Sequence, residues 1–158
     1  MDLGLRTGLA VYAADGRLLR YRSTHFPTVG ALKRALPRVL DEAPEVAWVV
    51  CEGDQHLATI WRRLAEKRGA GVVWTSAEEW RPSLLEAWER RDGVGAKEAA
   101  DRLARRVIDW SGAKRPTSLT HDAAEAILIG LWGLVRVGWL AEVPTGLGLR
   151  VGRGGHGP

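Results

Sequence analysis

Met1-Asp2-Leu3-Gly4-Leu5-Arg6-Thr7-Gly8-Leu9-Ala10-Val11 opens the chain with an acid, two glycines and a threonine ahead of an apolar run. Leu9 to Tyr12 and Arg17 to Arg22 flank Ala14-Asp15-Gly16, and an Asp-Gly between apolar and alternating segments is a strong hairpin signal. The chain is therefore expected to begin with antiparallel strands, with Asp2 set at their head. Only Met1 precedes Asp2, so the strand carrying this acid has hardly any chain behind it.

Further along, the pattern changes period. Leu32, Leu36, Val39 and Leu40 recur at helical spacing after Thr28, a plausible N-cap, with Pro37 expected to bend the helix. Val46 to Cys51 is apolar without alternation, which fits a strand covered on both faces, and Glu52 stands at its carboxyl end. Asp54 can cap a helix whose apolar face is Leu57, Ile60, Trp61 and Leu64, ended by Gly69 and Gly71 before the short strand Val72-Val73-Trp74. Strand, helix, strand implies a parallel crossover. Ser76 and Glu79 form a capping-box pattern, Asp92-Gly93-Val94-Gly95 interrupts the chain beyond them, and helices are expected from about Ala96 to Trp110 and from Thr120 to about Gly138. The sum is an α/β protein: a mixed sheet, antiparallel at its hairpin and parallel beyond it, flanked by helices.

At 158 residues and 46% hydrophobic content the chain suits one domain, placed at residues 1–140, with a Gly- and Arg-rich tail at 141–158 expected to be disordered. Lys+Arg 23 against Asp+Glu 19 gives +4, and the cations are mostly arginine, which suits bidentate phosphate contacts. Cys51 is the single cysteine and sits in an apolar strand, so no intrachain disulfide forms and a reducing cytoplasm fits. The longest apolar stretch, Ala126 to Leu140, carries Arg136 and three glycines, and is expected to be a buried helix, not a membrane span.

Four acids stand at element ends: Asp2, Glu52, and Asp122 with Glu125. The last two are three apart on a helix and flanked by Ala123, Ala124 and Ala126, small enough for that helix to approach a sheet closely. Asp122 followed by Glu125 is also a capping-box pattern, and Glu52 alone could be a solvated strand end at the sheet edge where α/β proteins bind ligands. Taken together, the four make an oxygen cage for hard divalent cations.

Asp2-Leu3-Gly4-Leu5-Arg6-Thr7-Gly8 before a hairpin, Glu52 ending a later strand, Gly93-Val94-Gly95-Ala96-Lys97, and His121-Asp122-Ala123-Ala124-Glu125-Ala126 opening the last helix together resemble the RNase H-like nucleases. Within them the chain resembles the RuvC-type Holliday junction resolvases, especially phage-borne ones, over about residues 2 to 138. The resemblance implies a five-stranded RNase H-like sheet that brings Asp2 and Glu52 together, with Asp122 and Glu125 arriving from the last helix. It implies that these four hold two Mg²⁺ or Mn²⁺ ions roughly 4 Å apart for in-line phosphodiester hydrolysis, leaving a 5′-phosphate and a 3′-hydroxyl. Lys97 then stands as a catalytic candidate near the scissile phosphate, and His121 as a residue that could orient water or metal. Arg6, Arg81, Lys97, Arg102, Arg105, Arg106, Lys114 and Arg115 are the expected DNA contacts, with phosphates tracked more than bases read. The implied protein is a homodimer acting on branched DNA in the cytoplasm of a bacterium or phage host, and Trp61, Trp80, Trp88, Trp132 and Trp139 exceed the needs of one small core. Alternatives are action on other branched DNA or RNA, or a catalytically silent DNA-binding relative. The sugar-kinase and actin-like proteins also open on Asp-x-Gly, but they need a second nucleotide-binding half, which 158 residues do not supply.

Overall fold

The computed structural model describes residues 1–149. Strands β1 (Asp2–Leu3), β2 (Arg6–Tyr12), β3 (Leu18–His25), β4 (Trp48–Gly53) and β5 (Gly71–Thr75) form one sheet in the order β3-β2-β1-β4-β5. The β1–β2 and β2–β3 pairs are antiparallel, whereas β1–β4 and β4–β5 are parallel. This is the mixed RNase H-like sheet expected from the hairpin and the crossover.

Helices α1 (Val29–Asp41) and α2 (Gln55–Lys67) cover one face, where Leu3, Leu9, Leu32, Leu36, Val49, Cys51 and Trp61 pack together. Helices α3 (Ala77–Leu84), α4 (Gly93–Ser111) and α5 (His121–Arg136) cover the other, around Trp80, Leu103, Val107, Ile127 and Leu131. The capping signals act as expected. Thr28 accepts from Ala31 N–H at 3.1 Å, Asp54 from Leu57 N–H at 2.8 Å, and Glu79 closes a capping box by accepting from Ser76 N–H at 3.1 Å. Pro37 lies inside α1.

Two boundaries differ from expectation. Asp92 accepts from Gly95 N–H at 2.7 Å and caps α4 at Gly93, so the Gly-rich segment is the first helical turn and not a break. The cap satisfies an end donor and offsets the poor helix propensity of Gly93 and Gly95. Of the stretch expected to form a disordered tail, Thr145–Leu147 make a 3-10 turn that buries Leu147 beside α4 and α5; residues 150–158 lie outside those described. The capping-box alternative for Asp122 and Glu125 is not realised, because Thr120 is the N-cap and both acids lie within α5.

α5 rests directly on β2 and β4, and glycine makes that approach possible. A Cβ on Gly8 would lie 1.8 Å from the Asp122 carbonyl oxygen, and one on Gly133 would lie 2.6 Å from Val50 Cγ2. Tyr12 donates from its hydroxyl to the Ile127 carbonyl at 2.7 Å, tying the hairpin to the same helix.

Candidate metal centre

The parallel register sets Asp2 beside Glu52, and strand neighbours in register are about 4.8 Å apart with side chains on one face. Gly53, at φ 111°, ends β4 against β1, where a Cβ would meet the Leu3 carbonyl oxygen at 2.4 Å. Above them the first turns of α5 deliver Glu125, whose side chain is only 8% exposed. One carboxylate oxygen from each of Asp2, Glu52 and Glu125 lies within 4.8 Å of the others.

Three carboxylates this close repel. Asp2 is pushed up to about 7, first by burial, then by Glu125 and Glu52, with the N-terminal ammonium opposing. Glu52 is also raised, by burial and then Glu125, with Arg81 opposing. An all-oxygen donor set held close at an energetic cost fits a hard divalent cation, which would relieve the repulsion.

Among the described residues the charge is partly offset by Arg81. Its guanidinium donates to Glu125 Oε1 at 2.5 Å and lies 5.4 Å from the centre of the Trp80 ring. Its Nε is buried without a partner. On the other side His121 Nε2 approaches Glu125 Oε2 to 3.4 Å. The sequence places Arg81 on DNA; the structure turns it inward, onto the acids.

Asp122 stands outside the trio. Its Oδ2 accepts from the Ser23 hydroxyl on β3 at 2.9 Å, although its charge still raises Asp2. Ser23 carries no signal in the sequence, since a serine in an alternating strand is ordinarily a solvated one. Lys97 is exposed on the first turns of α4, and among the described residues it has no contact with the trio. Of the other expected DNA contacts, Arg102 pairs with Glu89 at 3.0 Å, Arg105 with Asp101 at 2.7 Å and Arg115 with Asp109 at 2.5 Å. Arg6, Lys97, Arg106 and Lys114 are exposed and form no ion pair among the described residues. Trp61 and Trp80 are core residues at 0% exposure, whereas Trp88 at 62% and Trp139 at 37% reach the surface.

Sheet order, flanking helices and the acid-bearing strand ends define an RNase H-like fold of the RuvC kind. Among solved structures the chain is similar to T. thermophilus RuvC in complex with Holliday junction substrate, with a TM-score of 0.58 and 22% identity over 87% of this chain and 93% of that one. No protein-family model and no curated protein sequence matches the chain. No helix among the described residues is long and apolar enough to cross a membrane.

Proposed function

We propose that this protein is a divalent-metal-dependent, structure-selective DNA endonuclease that resolves four-way junctions by paired symmetric nicks. The observation that carries the reading is the convergence of Asp2, Glu52 and Glu125 on one point at the sheet edge. A purely structural role gives no reason to gather three acids at a cost in repulsion. The solved neighbour's fold, seen there with junction DNA, supports the choice of substrate.

In this reading Asp2, Glu52 and Glu125 hold the metal, with Asp122 held alongside by Ser23. Bound Mg²⁺ or Mn²⁺ would supply activation of water and neutralisation of the leaving oxygen. The chain's own work is placement. β1 and β4 fix two carboxylates by register, α5 fixes the third, and Arg81 orients Glu125. Lys97, Arg6, Arg106 and Lys114, unpaired among the described residues, hold phosphates. Two symmetric nicks require two such centres, so the working species is a homodimer.

A labelled four-way junction incubated with Mg²⁺ or Mn²⁺ tests this, with binding measured separately in Ca²⁺. Paired nicks by the wild type, lost in Glu52→Gln and Glu125→Gln while junction binding survives, support the proposal. Equal cutting of linear duplex, or cutting that persists in EDTA, overturns it. One observation favours the catalytically silent alternative: Arg81 already occupies an oxygen of Glu125. That alternative requires that Mn²⁺ leave the melting temperature unchanged.

A further inference from the structure

Residues in register cross the whole sheet at the metal centre: Ser23 on β3, Gly8 on β2, Asp2 on β1, Glu52 on β4 and Thr75 on β5. Partners opposite one another in a sheet share a face, so the side chains of this row all point to the layer of α3 and α5. The acids stand in the middle of the row and a hydroxyl stands at each end. Each hydroxyl donates to an acid of the helices above, Ser23 to Asp122 Oδ2 at 2.9 Å and Thr75 to Glu79 Oε2 at 2.9 Å. Glu79 is thereby kept in the capping box of α3.

Asp122 is placed differently, because its backbone sits on the gap in the row. A Cβ on Gly8 would lie 1.8 Å from the Asp122 carbonyl oxygen, so this acid stands over the position that has no side chain. Ser23 lies one strand spacing to one side and Asp2 one to the other, about 4.8 Å each way. Rotation of the Asp122 side chain between staggered rotamers carries its carboxylate from one direction to the other. The structure shows it turned to Ser23. Turned to Asp2, it would stand as a fourth carboxylate beside three that already repel. Added positive charge favours that second direction, and the bond to Ser23 opposes it.

We infer that Ser23 is a positioning residue that parks Asp122 off the trio, so that the chain holds one divalent cation tightly and a second only when Asp122 leaves Ser23. This rests on the metal-dependent reading proposed above and adds an order of loading to it. Asp2, Glu52 and Glu125 take the first ion, and Asp122 joins them for the second. Ser23 is a ligand in neither state and acts through Asp122 alone.

The test is a Mn²⁺ titration of the full chain followed by electron paramagnetic resonance, which counts free ion and so gives stoichiometry and affinity without any cleavage. The wild type is expected to bind a first ion and, about tenfold or more weakly, a second. Ser23→Ala should leave the first affinity unchanged and tighten the second about tenfold, the equivalent of one charge-assisted hydrogen bond. Ser23→Thr keeps the hydroxyl and should match the wild type, which separates loss of this bond from loss of stability. Asp122→Asn should lose the second ion, and adding Ser23→Ala to it should change nothing further. Three results would each overturn the inference while leaving the metal-dependent reading in place: identical stoichiometry and affinities in wild type and Ser23→Ala, a second ion bound more weakly by Ser23→Ala, or Ser23→Thr behaving as Ser23→Ala. Absence of Mn²⁺ binding in every chain would overturn both.

Discussion

At the residue scale, Gly8 and Asp2 decide whether the centre forms. Gly8 pairs with Asp2 through its backbone and carries no ligating group itself, yet a side chain there would strike the Asp122 backbone from 1.8 Å and push the start of α5 off β2. Gly8→Ala is therefore expected to cost about 3 kcal/mol of stability, at the upper end of overpacking costs, read as a lower urea midpoint. Asp2 gives a pH signature. Its folded-state value of about 7 lies above the ordinary 3.8, so the folded protein binds a proton that the unfolded chain has released. Metal-free stability should thus fall as pH rises from about 4 to about 7, the reverse of a salt-bridged carboxylate. Urea unfolding in EDTA across that window should show this slope in the wild type and a weaker one in Asp2→Asn. Saturating Mn²⁺ should remove it, because the ion takes the place of the proton.

At the element scale, the centre is the meeting point of β1, β4 and α5, with α3 closing it through Arg81. Removing that guanidinium leaves Glu125, at 8% exposure, with only the His121 imidazole beside it among the described residues, and charge-assisted bonds of this kind contribute about 2 kcal/mol. The same removal frees Glu125 Oε1 and subtracts a positive charge from the neighbourhood of an incoming dication. Arg81→Gln should therefore melt lower than the wild type without metal, yet gain more in melting temperature on titration with Mn²⁺. An equal or smaller gain would show that Arg81 does not compete with the metal. Much of this level is legible in the sequence, and for physical reasons. Asp15-Gly16 specifies a hairpin through local backbone geometry, and an unbroken apolar run ending in Glu52 specifies a covered strand with an acid at its tip. What is not legible depends on long-range direction. Asp122 and Glu125 share a helix face in any linear reading, and only the angle at which α5 crosses the sheet sends one to Ser23 and the other to Asp2. The inward turn of Arg81 has no local signature either, since an arginine among exposed cations has the same pattern whether it meets phosphate or carboxylate. Glycine propensity alone puts the start of α4 too late, because it leaves out the Asp92 cap.

At the scale of the whole molecule, the formal charge of +4 understates how selectively cations are available. Arg81, Arg102, Arg105 and Arg115 are committed to intramolecular carboxylates, whereas Arg6, Lys97, Arg106 and Lys114 are exposed and unpaired among the described residues. A phosphate must displace a carboxylate from the first group but only water from the second. Junction affinity measured in Ca²⁺ against salt should follow a log–log line whose slope falls by about 0.9 for each phosphate contact removed. Lys97→Ala and Arg106→Ala should each flatten that slope by about this amount, whereas Arg105→Ala should leave it nearly unchanged and free Asp101 to repel the backbone. Equal slopes for all three variants would show that DNA contacts are not sorted by intramolecular pairing, and would move the interface away from α4. Because a dimer would present this set of cations twice, the wild-type slope should also be close to twice that of a monomeric variant, which makes the same titration a measure of the assembly on the junction.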